Sequence, residues 1–320
     1  MGYSILFLQP IIKTKIWAGN KLVQTIKNYG DKVGEVWLFS GLLDNSNTII
    51  NLPEQVTLRQ FWELNHNLFF KDPNNSLIDF PLLIKFIDAG ADLSVQVHPN
   101  YENEMNVFNK NEAWYIIDCD DNTRILYGHN AEDIVHFKGL YNARKYEQLF
   151  NYIDIEPDQT YYIPSGMLHA IMANTLVLEV QQTADITYRL YDYDRLDDNG
   201  QKRDLHVEDV YKNLSFSQGE SGVVQDRGNK IINYLHVVLS TPYFIMYQLV
   251  VLNHTVIDTA SDFLCCVVVS GAGDIIIWQK DESPERYSLS PGDSFILLNT
   301  VEKTEFNGNM KVMAASYPIR

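Results

Sequence analysis

Short apolar runs with a two-residue period alternate with polar turns along most of this chain, the pattern of β-strands. Leu93-Ser94-Val95-Gln96-Val97-His98-Pro99 is the clearest case. Ser94, Gln96 and His98 leave one face of the predicted strand, and Leu93, Val95 and Val97 leave the other. Polar side chains aimed into an apolar interior are costly unless something binds them. Imidazole nitrogen and amide oxygen are both metal donors. The alternative is a strand near a sheet surface, with Gln96 and His98 facing water.

Residues 80–88 are almost continuously apolar except for Lys85 and read as a buried strand. The Lys85 ammonium either snorkels to the surface or meets a phosphate at a pocket wall. Residues 110–117 form a strand-like run with Lys110 and Glu112 on one side. Residues 161–171 read as a strand, a turn at Pro164-Ser165-Gly166, and a second strand entered at His169. Helical spacing is confined to residues 57–64 and to a charged stretch within 131–152. A polar linker at 219–230 precedes a return to short strands from Ile231, with strand-turn units at 267–274 and 289–298.

At 320 residues and 46% hydrophobic content, the chain can bury a large core and is long enough for two domains. Its formal net charge of -16 argues against a nucleic-acid partner and repels anionic substrates at long range. A phosphate ester would need a local cluster of Lys and Arg. Cys119, Cys265 and Cys266 offer no CxxC pair and no disulfide framework, which fits a reducing cytoplasm. The first apolar run is cut by Gln9, Pro10 and Lys13, so a strand is expected there and not a signal peptide. No stretch approaches the length of a membrane span.

Gln96, His98, Glu112 and His169 together make a mixed nitrogen and oxygen ligand set suited to zinc or another divalent transition metal. The set contains no thiolate, which argues for an open, catalytic geometry over a closed structural site.

Gln96-Val97-His98-Pro99, Lys110-Asn111-Glu112-Ala113-Trp114-Tyr115 and Ile163-Pro164-Ser165-Gly166-Met167-Leu168-His169-Ala170 resemble the metal-binding strands of cupins. More closely, they resemble type I phosphomannose isomerases in their short bacterial form. Trp17-Ala18-Gly19, Gly34-Glu35-Val36-Trp37, Pro81-Leu82-Leu83-Ile84-Lys85, Leu178-Glu179-Val180-Gln181-Gln182 and residues 187–195 stand in that family's order. The chain departs from the generic cupin pattern at Asp158, which replaces a glycine, and at Asn174, which is displaced by one residue. Both departures fall in turns and leave the ligands intact.

The resemblance implies a mainly β fold of two cupin-like jelly rolls with a small helical segment. The catalytic metal-binding domain would span residues 1–225, with its helices at about 131–152. A C-terminal β domain over 226–320 has no H-x-H and would be metal-free. The implied activity is metal-dependent interconversion of mannose 6-phosphate and fructose 6-phosphate through a cis-enediol. One zinc per chain, or another divalent transition metal, would sit on Gln96, His98, Glu112 and His169. Lys85, Ser94 and Lys110 would bind the phosphate and sugar, and Arg189 would be catalytic. His206 reads as structural. The partner would be a small-molecule sugar phosphate, with no nucleic acid and no membrane, and the chain a cytoplasmic monomer or homodimer. Two other readings stand beside this one: another cupin metalloenzyme acting on a sugar phosphate, and a non-catalytic sugar-binding or regulatory cupin. The general base has several candidates, including a metal-bound water and a pocket carboxylate or imidazole outside the ligand set.

Overall fold

The computed structural model describes residues 3–72, 77–100, 109–197, 199–216, 223–224, 231–257 and 262–318. The polar linker expected at 219–230 lies almost wholly outside the described residues.

Two antiparallel sheets enclose the first interior. A seven-stranded sheet runs in the order Val223–Val224, Thr160–Ile163, Glu112–Cys119, Thr175–Gln182, Leu82–Ala89, Val33–Phe39, Ile11–Thr14. Facing it is a five-stranded sheet in the order Phe150–Asp154, Arg124–His129, His169–Ile171, Val95–Val97, Tyr188–Tyr191. Trp114, Ile116 and Val177 of the first sheet pack with Ile125, Tyr127 and Ile171 of the second. The outer face of the five-stranded sheet is closed by three helices, Ile134–Asn142, Tyr146–Leu149 and Val207–Asn213. They bury Phe137, Leu149 and Val210 against Val95, Val97, Leu126 and Leu190. The first two are the helices expected within 131–152. The third was not expected, because seven residues give too little periodicity to read.

The central strands of the seven-stranded sheet, Leu82–Ala89 and Thr175–Gln182, are buried on both faces, which explains their runs without clean alternation. Trp114 and Ile116 point to the five-stranded sheet, whereas Ala113 and Tyr115 pack against the C-terminal strands. Leu82, Ile84 and Phe86 likewise point away from the interior, leaving Lys85 on the same face as Ile87.

The C-terminal strands form a nine-stranded sheet with Ser294–Leu297 at its middle. The chain's first strand joins it, with Ile5, Leu6 and Phe7 paired to Leu297, Ile296 and Phe295. Short strands were expected here. Three are long instead: Ile245–Ile257, Leu264–Gln279 and Val301–Ser316. Residues 270–274 do not turn, because the strand passes through them with a register shift between Val268 and Ser270. Gly271 sits at φ +73, and a Cβ there would come within 2.1 Å of the Asn309 carbonyl oxygen. The glycines mark a bulge and a close backbone approach.

Candidate active site and metal centre

The five-stranded sheet supplies one wall of the site. Gln96 is paired across the sheet with His169 on one side and with Arg189 on the other. Residues in one such row project from the same face. That face is the interior, because Val95 and Val97 are spent on the helix-covered core. His98, one residue past the Val95–Val97 strand, follows Gln96 by two and shares its side. His169 opens its own short strand directly after the Pro164–Met167 turn, where Gly166 has φ +85.

The facing wall carries Glu112, first residue of its strand and paired with Ile163 and Gln181. His98 Nε2 lies 2.9 Å and His169 Nε2 3.5 Å from the Glu112 carboxylate. One donor atom from each of the three residues falls within 4.8 Å of the others, and all three residues are buried. Each imidazole has a backbone carbonyl at its far nitrogen. Nδ1 of His98 is 3.1 Å from the Ile186 oxygen, and Nδ1 of His169 is 2.9 Å from the Met167 oxygen. Donation from Nδ1 leaves the Nε2 lone pairs aimed at the centre. Neither carboxylate oxygen of Glu112 takes part in a well-directed hydrogen bond. Gln96 brings its side-chain amide to 3.2 Å from His169 Nε2. Its amide oxygen and nitrogen exchange places by one half-turn.

The electrostatics suit a cation. Burial pushes the His98 imidazole down to about 4, with Lys110 acting in the same direction, and burial also lowers His169. Burial alone would raise Glu112, but Lys110 and the two imidazoles hold it well below the usual carboxylate range. Two neutral imidazoles and one carboxylate, all dry and convergent, fit a divalent transition metal.

Lys110 and Ser94 border this centre. The Lys110 ammonium is 2.9 Å from both His98 Nε2 and a Glu112 oxygen. Ser94 is buried two residues before Gln96, with its hydroxyl 3.5 Å from the Gln96 amide oxygen. Lys85 stands deeper in the seven-stranded sheet, in register with Glu179 and Trp37. Its ammonium is 2.9 Å from a Glu179 oxygen and 5.7 Å above the Trp37 ring. Trp114 Nε1 donates to the other Glu179 oxygen at 2.8 Å, and Trp114 in turn packs edge-on against His169. Burial opposes the Lys85 charge, but Glu179 and Glu35 raise its pKa above the ordinary lysine range. Glu179 was given no role by sequence reasoning. The available signal was a second charged residue in a buried run, because a buried Lys requires a buried partner.

Arg189 carries its guanidinium at the edge strand, where Nη1 donates to the Asp204 carbonyl at 2.9 Å. Its Nε is buried without a partner among the described residues.

Two facing antiparallel sheets with imidazole and carboxylate donors converging between them define a metal-binding protein of the cupin class. Comparison with known proteins narrows this further. Residues 5–125 match the profile for phosphomannose isomerase type I, catalytic domain. The probable mannose-6-phosphate isomerase GmuF of Bacillus subtilis (strain 168) is 36% identical over 304 residues, covering 91% of this chain and 92% of that one. The crystal structure of a mannose 6-phosphate isomerase from Bacillus subtilis superposes with a TM-score of 0.86 at 32% identity, covering 98% of this chain and 100% of the other. A zinc-bound mannose 6-phosphate isomerase shares the fold, with a TM-score of 0.73 at 13% identity over 99% of this chain and 100% of that one. The chain belongs to the type I phosphomannose isomerase family.

Proposed function

We propose that the interior of the first jelly roll carries out the family's reaction on one bound zinc ion, held by His98, Glu112, His169 and the amide oxygen of Gln96. The chain is an aldose–ketose isomerase that interconverts mannose 6-phosphate and fructose 6-phosphate. The observation that carries this reading is the convergence of three buried donor atoms within 4.8 Å, in a chain that spans its isomerase relatives almost end to end. Another divalent transition metal is the alternative occupant of the same donors.

A bound divalent ion supplies Lewis acidity, polarising the sugar carbonyl so that the neighbouring C–H becomes acidic. Isomerisation then moves one proton from C2 to C1 and one from the C2 oxygen to the C1 oxygen. The chain's own residues bind and orient the sugar. Lys110 and Ser94 face the donor set and hold sugar oxygens. Lys85 supplies a fixed positive charge within the pocket for the anionic end of the substrate. Anchoring the phosphate places the reacting carbons with binding energy remote from the chemistry. Arg189 keeps its proton and stabilises negative charge as it develops on the oxygens.

The test is mannose 6-phosphate turnover, read as fructose 6-phosphate. It is run on protein as purified, after chelation, and after adding back zinc, cobalt, manganese or iron. Turnover lost on chelation and restored by a metal supports the reading. Folded, metal-loaded protein without turnover under any of these ions would refute it.

A further inference from the structure

His206 is tied to Arg189 from both sides. The Arg189 backbone N–H donates to His206 Nδ1 at 3.1 Å. The His206 backbone N–H donates to the Arg189 carbonyl at 2.7 Å. With the Nη1 bond to the Asp204 carbonyl, three hydrogen bonds fasten Arg189 to residues 204–206. That short segment is itself anchored. Arg203 Nε and Nη2 donate to the two carboxylate oxygens of buried Asp192 at 2.7 and 2.5 Å. Asp192 lies three residues after Arg189, so the loop 189–192–203–206 closes on itself.

We propose that His206 is a positioning residue for Arg189. The lone pair of its Nδ1 fixes the backbone of Arg189 in the strand position paired with Gln96, and so fixes where the guanidinium starts from. Accepting at Nδ1 requires the proton on Nε2, so one tautomer serves this contact. The side chain is not explained by helix capping: His206 precedes the Val207–Asn213 helix, but its imidazole makes no cap hydrogen bond there. The arrangement leaves Arg189 Nε as a buried donor with no protein partner among the described residues. A guanidinium that stabilises developing charge works only within a fraction of an ångström of its place.

The inference rests on Arg189 acting in turnover, so Arg189→Ala is measured beside His206→Ala, His206→Asn, His206→Gln and the Arg189→Ala/His206→Ala double variant. The readouts are kcat, KM for mannose 6-phosphate, metal content and thermal midpoint. Losing the Nδ1 contact lowers kcat about tenfold in His206→Ala, with KM held within about twofold. Metal content stays at the wild-type level. His206→Asn places Oδ1 where Nδ1 was and recovers most of kcat, whereas His206→Gln does not. The double variant turns over no more slowly than Arg189→Ala alone, because the two residues act as a unit. A slow Arg189→Ala beside a His206→Ala of wild-type kcat overturns the positioning role. So does a His206→Asn no faster than His206→Gln, or a double variant slowed by the product of the two single effects. Undiminished kcat in Arg189→Ala removes the Arg189 reading itself, and this inference with it. If His206→Ala does not fold, the Asn-against-Gln contrast decides.

Discussion

Lys85 is an ammonium sealed into a sheet interior, and its neighbours form an alternating row. Lys15 pairs with Glu35 at 2.8 Å, Glu35 accepts from Trp37 Nε1 at 2.8 Å, and Lys85 pairs with Glu179. Replacing one member of a buried pair leaves the other charge stranded. Glu179→Gln therefore costs about 3–5 kcal/mol of folding stability, read as a lowered urea midpoint at constant slope. Glu35 gives a pH signature. Burial alone would raise its carboxyl, but Lys85 and Lys15 bring it down to about 2 from an ordinary 4.5. Its stabilising effect is therefore complete above pH 4.5 and is lost as pH falls towards 2. Unfolding free energies measured across that window should fall by about 3 kcal/mol less in Glu35→Gln than in the unaltered chain. At this scale the residues that the structure brings together, His98, Glu112 and His169, could be picked out along the sequence, because His98 and Glu112 sit in runs where polar residues are out of place. Glu179 stood out only as a second charge in a buried run, and its pairing with Lys85, like the His206 contact, depends on a cross-strand or loop partner that spacing along the chain does not reveal.

Short elements do the placing. Val95–Val97 has only three residues, yet it sets Gln96 between His169 and Arg189. The Pro164–Met167 turn is equally small. Gly166 is in the left-handed region, and a Cβ there would come within 2.8 Å of the Asn100 side chain and 2.9 Å of the Asn213 carbonyl oxygen. Its N–H also donates to the His98 carbonyl at 3.2 Å, so this turn connects two residues of the proposed ligand set. Gly166→Ala should weaken metal binding about tenfold or more, measured by competition with a chelator, while far-ultraviolet circular dichroism stays unchanged. The strand-turn-strand pattern and the turn glycine were legible, since alternation and Pro-x-Gly are local signals. The Val207–Asn213 helix and the long bulged strands were not. One is too short for its period to register, and in the others glycines that read as turns are accommodated within a continuing strand.

Across the whole molecule, the back of the seven-stranded sheet and the C-terminal sheet share one apolar core. It runs from Val36, Ile84, Phe86 and Leu178 to Met246, Val267 and Met313. A polar bridge crosses the same boundary: Tyr115, three residues along the strand from Glu112, accepts from Gln248 Nε2 at 3.2 Å, and Lys311 pairs with Asp158. A shared core of this kind predicts one cooperative thermal transition, with tryptophan fluorescence and far-ultraviolet circular dichroism giving coincident midpoints. Two separated midpoints would show that the sheets unfold independently. Deleting residues 1–9 removes no proposed site residue. It does strip Ser294–Leu297 of one of its two partner strands, so the shortened chain should have a lowered thermal midpoint and lowered turnover, even with metal supplied.

The pairing of Ile5 with Leu297 also sets a clock for biosynthesis. The ribosome makes one partner about 290 residues before the other. At cellular elongation speeds that interval lasts roughly 15–60 s. Throughout it, the nascent chain presents Ile5 and Leu6, both buried in the finished fold, without the strand that will pair with them. That sheet can close only after residues 294–297 have been made, so the segment around Ile5 must be kept from other apolar partners until then.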